Sequence, residues 1–299
     1  MQNKAKGPIL IAATAILWSF GGILIKLIPW DAMTIVGLRA IFAAAVMAIY
    51  MKRVRITFSP SVILGALCIA GTTILFVFAN KLTTAANAIV LQYTAPIFVV
   101  VLSLIFLKKK PKALDIGAVL AAVAGMALFF FGQLKADALL GNILALLSGI
   151  TFAGVFLINQ MPKAKPEESL LLGHLINVAV GIPFIITHVT FEPVAWLSVT
   201  LMGIFQLGIA YVLFSIGIKY TTPISASLLA TLEPLLNPVW VFLMTGEQPG
   251  MWALIGAAVV IVSIVVYSVL SARNGKKNKT IDTAGALPAE AEAPPPGSQ

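Results

Sequence analysis

Charge, histidine and cysteine are all scarce in this 299-residue chain. Asp, Glu, Lys and Arg make up 10% of it, against about 25% in an ordinary soluble domain. The single cysteine, Cys68, forms neither an internal disulfide nor a cysteine zinc site. Two histidines, His174 and His188, leave too little for a metal cluster or a Ser-His-Asp hydrolase. A Walker-type phosphate loop is absent, which excludes an ATPase of that class within the chain. No catalytic residue, metal or cofactor is therefore expected. The chain is instead 60% hydrophobic, with a mean hydropathy of +1.00. The polar residues needed to coat a soluble core of this size are missing. A formal charge of +9 would point to nucleic acid in a soluble protein. Here the basic residues fall between apolar runs, so orientation in a bilayer explains them and no nucleic-acid partner is expected.

A spanning helix needs about 20 mainly apolar residues. Ten such runs follow one another: Pro8–Ile28, Ala32–Met51, Ser61–Asn80, Thr84–Phe106, Ala113–Phe131, Ala138–Ile158, Glu168–His188, Val194–Ile218, Thr222–Met244 and Pro249–Leu270. None alternates as a barrel strand does. Pro8–Ile28 is long for the apolar region of a signal peptide, carries Lys26 at its end and leads straight into another span, so no cleaved signal peptide is expected. With the N-terminus inside, fifteen lysines and arginines fall at inner ends and four (Lys26, Lys81, Lys135 and Lys219) at outer ends. That bias, with an even number of spans, puts both termini in the cytoplasm. Beyond Leu270, a basic patch from Arg273 to Lys279 faces the headgroup region. Residues 275–299, rich in proline and charge, read as a disordered cytoplasmic tail.

The chain also resembles itself. Displaced by 138 residues, Thr83-Thr84 falls on Thr221-Thr222, Pro96 on Pro234 and Pro111 on Pro249. Displaced by 134, Gly7 falls on Gly141 and Trp18 on Phe152. The expected architecture is thus all-α and polytopic: ten transmembrane helices in a 5+5 inverted-topology repeat, residues 8–131 and 138–270. Such repeats place a binding site near the midplane, where the halves meet. Pro96 and Pro234 each remove a helical hydrogen bond, as packing kinks or as openings onto a cavity.

Leu17-Trp18-Ser19-Phe20, Leu38-Arg39-Ala40, Leu232-Glu233-Pro234, Gly246-Glu247 and Gly256 resemble the EamA-type family of the drug/metabolite transporter superfamily. The likeness covers roughly residues 8–270. The first half departs from it, with Ala95 where Glu233 falls and Lys108-Lys109 where Gly246-Glu247 fall. The resemblance implies ten-helix exporters of amino acids, other metabolites or drugs, in the bacterial inner membrane.

Ionisable groups within spans cost about 2.5–3.5 kcal/mol on insertion scales, so each asks for a function or a partner. Glu233 reads as a proton-titrating or cation-recognising carboxylate, or as a structural one bonding the backbone loosened by Pro234. Arg39 suits a carboxylate clamp or an outer gate paired with Glu233, or bonds interhelical carbonyls. His174, which falls on Arg39 at a displacement of 135, is a proton shuttle or a packed histidine. Trp18, Gln92, Tyr93, Tyr211 and Trp240 fall mid-span and suit a mainly apolar small-molecule site, or simply core packing. Gln206 and Phe152 belong to the same mid-span set. Gly117, Ala121 and Gly125 form a small-residue face expected to pack inside the bundle.

The expected function is a secondary exporter of small metabolites by alternating access; the alternative is a passive facilitator or channel without ion coupling. An enzyme is not expected, because the ionisable residues do not cluster. The partners are a small-molecule substrate and the bilayer, and the sequence leaves the oligomeric state open. A cytoplasm-dependent reporter fused after Leu270 should be active. Activity of a periplasm-dependent reporter at that point would contradict the basic-residue reading.

Overall fold

A computed structural model describes residues 3–131, 138–245 and 250–284. Among them every regular element is helical. They are α1 (Asn3–Trp18), α2 (Gly21–Lys26), α3 (Ala32–Met51), α4 (Pro60–Leu82), α5 (Ala85–Gln92), α6 (Ala95–Leu107), α7 (Ala113–Phe129), α8 (Leu139–Leu157), α9 (Pro166–His188), α10 (Pro193–Leu201), a π-helix (Met202–Ile209), α11 (Ala210–Gly217), α12 (Pro223–Ala230), α13 (Leu232–Thr245) and α14 (Met251–Ala284). Seven stretches are long and apolar enough to cross a membrane, and Lys6–Trp18, Ala113–Phe129 and Pro223–Leu236 are shorter apolar helices. Side-chain caps start α3 (Asp31), α4 (Ser59), α5 (Thr84) and α12 (Thr222), each oxygen accepting otherwise orphaned N–H groups. Prolines occupy the first turn of α4, α9, α10 and α12, where a missing N–H costs nothing. Burial opposes ionisation of Asp31, but bonds from the Thr34 hydroxyl and from the N–H groups of Thr34 and Met33, with His188 nearby, win and lower its pKa. That cap therefore stabilises α3 above the ordinary aspartate pKa and weakens as pH falls through the lowered value.

Four of the expected runs are not uniform α-helices. The first breaks at Ser19–Phe20, separating α1 from α2. The fourth breaks at Tyr93–Thr94, just before Pro96, and the ninth at Thr231, just before Pro234. The breaks are alike: in each a threonine hydroxyl donates to the carbonyl three residues before it, Thr94 to Leu91 and Thr231 to Leu228, both at 2.6 Å. In the eighth run Met202–Ile209 widens to a π-helix, which lets Gly203 and Gly208 sit against Phe42 and Val46 of α3. The last helix runs to Ala284, into the stretch from 275 read as a tail, because nothing in Arg273–Thr283 forbids helix. Residues 285–299, Lys135, and Gly246-Glu247 of the family-like motif lie outside the described residues.

Helices that the sequence displacement matches pack on correspondingly matched partners. Just as α1 packs on α11 and α12, α8 packs on α4 and α5. As α9 packs on α4, α3 packs on the π-helix. Two pairs, α3 with α9 and α7 with α14, join corresponding helices of the two halves. Glycines permit these approaches. Gly7 abuts the Tyr220 backbone and Gly141 the Leu82–Thr83 backbone; Gly37 lies against Gly181, and Gly125 against Gly256. Of the small-residue face on α7, Gly125 packs against α14 whereas Gly117 faces open space.

Contacts at the helix ends sort the connections into two sets. One end joins Lys165 to Thr57 and Glu168, Lys109 to Gln160, Lys219 to Glu167 and Lys6 to the Tyr220 ring. The other joins Trp30 to Thr190, Asp31 to His188 and Thr83 to Asn142. Lys219, assigned above to an outer end, bonds Glu167 at 2.9 Å and thus shares the end of Lys163 and Lys165. The correction follows from counting spans as well, since an even number precede it, and it strengthens the basic bias.

A Cβ at Gly256 would meet the backbone N of Phe129 at 2.3 Å and the Gly125 carbonyl at 2.5 Å, neither of which can move aside. Gly256→Val should therefore lower stability by about 1–3 kcal/mol or more, read as a lower unfolding midpoint in detergent. Gly117→Ala, with nothing within 4 Å, should leave it unchanged. Equal effects would show that the α7–α14 crossing is not close.

Candidate functional site

The breaks in the helices bring side chains together that distant parts of the sequence supply. Trp18 ends α1, Tyr93 follows α5 as its C-cap, Glu233 opens α13, and Tyr211 lies one residue into α11. The Tyr93 hydroxyl donates to a carboxylate oxygen of Glu233, joining the two broken helices. From there an aromatic series crosses the bundle. Tyr93 meets Phe152 with ring centroids 6.0 Å apart, Phe152 meets Trp18 at 5.8 Å, Trp18 meets Tyr211 edge-on at 5.4 Å, and Tyr211 meets His174 at 5.1 Å. Phe214 and Phe156 back this series, Phe214 lying 5.8 Å from both Trp18 and Phe156. Offset and edge-on geometry suits the charge distribution of aromatic rings, so the series is well packed as well as apolar.

Beyond His174 the surroundings turn polar. Arg39 of α3 is within electrostatic reach of both His174 and Tyr211. It is 5% exposed, and among the described residues no carboxylate lies within ion-pair distance of it. Its Nε, both ring nitrogens of His174, both polar atoms of Asn177, Oε1 of Gln206 and Nε1 of Trp18 are buried without hydrogen-bond partners. His174 and Asn177 lie three residues apart, on one face of α9. A buried polar group without a partner costs about 1–3 kcal/mol, so this many in one region is unexpected for a structure that only packs. The arrangement leaves donors and acceptors available for a molecule that enters between the helices.

Of the residues singled out in the sequence, Glu233, Tyr93, Trp18, Tyr211, His174 and Arg39 line this one series. Arg39 and Glu233 form no ion pair. Glu233 bonds Tyr93 instead. Gln92 serves the framework, donating to Ser148 at 2.8 Å, which in turn donates to the Thr72 carbonyl. Trp240 donates to Ser19 at 2.8 Å and stacks on Phe20 at 4.5 Å, bracing the break in the first run. Pro96 and Pro234 open α6 and α13 at the breaks themselves. Sequence reasoning missed Asn177, Phe156 and Phe214. It also missed the π-helix, which carries Gln206 so that its amide donates to the Trp18 carbonyl at 3.4 Å. An asparagine in a long apolar run was the available signal for the first; the widened turn left none beyond the paired Gly203 and Gly208.

Residues 5–131 and 139–269 match the model of the EamA-like transporter family. An uncharacterized transporter of Archaeoglobus fulgidus is 25% identical over 266 residues, covering 87% of this chain and 95% of that protein. One of Clostridium kluyveri is 26% identical, covering 91% and 94%. A crystal structure at 18% identity superposes with a TM-score of 0.76 over 90% of this chain and 99% of that one, so the fold is shared.

Tyr93→Phe would leave the Glu233 carboxylate without its donor, and should cost about 1–3 kcal/mol of stability in detergent. Adding Glu233→Gln should cost less than the two single losses summed. Simple additivity would mean that the two groups act independently.

Proposed function

The chain belongs to the EamA-like transporter family, and on that premise we propose that it exports small metabolites by alternating access. The substrates are amino acids or similar small amphiphiles, or drugs, and the site lies between two five-helix repeats of opposite topology. One observation carries the proposal: an aromatic series that ends in a carboxylate at one side and a guanidinium without a counterion at the other, with Trp18, Tyr93 and Glu233 beside breaks of the helices. A small amphiphile with opposite charges would take its place along the aromatic series, between Glu233 and Arg39, once the helices part. Asn177, His174 and Gln206 would supply polar contacts near the arginine. Both charges need water, a partner or a substrate in hydrocarbon, and Arg39 has no protein partner among the described residues.

The 5+5 organisation is supported by the two segments of the family match, by the helix pairing that survives exchange of the halves, and by the matched proline breaks. Broken helices around a central site are a recurrent arrangement in secondary transporters, because irregular backbone is tolerable only where it faces protein or a wet cavity. The sorted end contacts and the basic bias support an inner-membrane protein with both termini in the cytoplasm. The half-broken spans that meet at the site favour a coupled cycle over a passive pore, since they give each half a place to hinge.

Medium from cells overproducing the protein should be enriched in one class of small amphiphile relative to vector controls. Arg39→Gln and Glu233→Gln should each abolish that enrichment at normal membrane abundance. Efflux that survives both substitutions, or enrichment equal to the control, would refute the proposal.

A further inference from the structure

A cavity lies away from the central series, at the bundle end that carries Lys109, Lys110 and Lys112. There α6, α7, α12 and α14 part to leave a cleft of about 370 Å³. Its walls are apolar, formed by Val100, Leu107, Leu114 and Ile224, and its rim is basic. The rim is set by the end of α6: Lys108 adopts a left-handed conformation (φ 51°), and the Lys109 N–H returns to the Ser103 carbonyl at 3.2 Å. That turn carries Lys109, Lys110 and Lys112 across the mouth.

Among the described residues none of these three lysines has a carboxylate within ion-pair distance; Lys109 donates to Gln160 at 2.7 Å. Asp115 also lines the cleft, but both its oxygens are occupied. One accepts from the Lys112 N–H at 2.8 Å and the other from the Tyr267 hydroxyl at 2.9 Å. Ser103, 5% exposed, borders the cleft with a hydroxyl that has no partner. Ser271 closes the far side, and Arg273, Lys276, Lys277 and Lys279 follow it in sequence.

We propose that this cleft binds the phosphate headgroup of an anionic membrane lipid. The apolar walls suit the glycerol and upper acyl chains, while the rim lysines and the Ser103 hydroxyl supply donors for phosphate. Basic pockets between transmembrane helices at the cytoplasmic surface are suited to such headgroups, because the leaflet there concentrates negative charge. A free phosphate ion would use only the rim and leave the apolar walls empty. The site does not depend on the identity of the transported substrate.

The test uses the full chain in a neutral detergent. Phosphatidylglycerol should raise the unfolding midpoint by about 2–4 °C, while phosphatidylcholine and inorganic phosphate at the same concentration should not. The three exposed lysines replaced together, Lys109→Gln, Lys110→Gln and Lys112→Gln, should keep the lipid-free midpoint and lose the shift. A control with Lys52→Gln and Arg53→Gln, exposed in the connection between α3 and α4, should keep it. An equal shift with phosphatidylcholine, a shift retained by the triple variant, or a shift lost equally in the control would overturn the proposal. A full shift with inorganic phosphate alone would overturn the lipid as its source.

Discussion

Hydrocarbon offers no hydrogen bonds, and this constraint organises the whole chain. Each backbone N–H and C=O in the membrane must find its partner within a helix or in a neighbour. Regular helix is therefore the default, and departures are confined to places where other helices can compensate. Four runs depart from it: at Ser19–Phe20, at Tyr93–Thr94, at Thr231 and through Met202–Ile209. Each departure is compensated by a neighbouring group. Threonine hydroxyls occupy carbonyls at the two proline breaks, and Gln206 reaches the Trp18 carbonyl. Trp240 bonds the Ser19 hydroxyl beside the first break. Trp18, Tyr93 and Glu233, beside three of these breaks, belong to the aromatic series as well.

The close crossings and the site are consequences of one packing scheme. Without a hydrophobic force between helices in lipid, association depends on close van der Waals contact and buried polar bonds. Gly37 against Gly181 draws α3 onto α9, which brings Arg39 toward His174 and Asn177. Gly203 and Gly208 draw the π-helix onto α3 and carry Tyr211 into the same region. The framework bond from Gln92 to Ser148 holds α5 on α8, so that Tyr93 meets Phe152. Polar atoms then remain on the Arg39 side that the protein itself does not satisfy. The proposal that a substrate is held there rests on these atoms rather than on the family likeness alone.

The sequence made the helical runs, their order and the internal likeness legible, because apolar length and proline spacing are local signals. It also marked Glu233, Arg39, His174, Trp18, Tyr93 and Tyr211, since charge and aromatic residues stand out in apolar runs. Which of them meet was not legible. The Arg39–Glu233 pair looked plausible from depth alone, yet Tyr93, bonded to Glu233, is what the fold sets there. Gln92 and Trp240 shared the depth but not the direction, and rotation about a helix axis cannot be read from depth. The break at Ser19–Phe20 and the π-helix escaped because apolar length alone reads each run as unbroken helix.

The central claim is that the aromatic series lies on a path open to one face of the membrane at a time. The direct measurement is thiol labelling at Phe152→Cys in a chain whose native cysteine is removed by Cys68→Ser. Phe152 touches both Trp18 and Tyr93. A membrane-impermeant maleimide should modify this position from either face, more slowly when transported substrate is present. If only a membrane-permeant reagent labels it, and neither face admits the impermeant one, the series is a sealed core and the account is wrong.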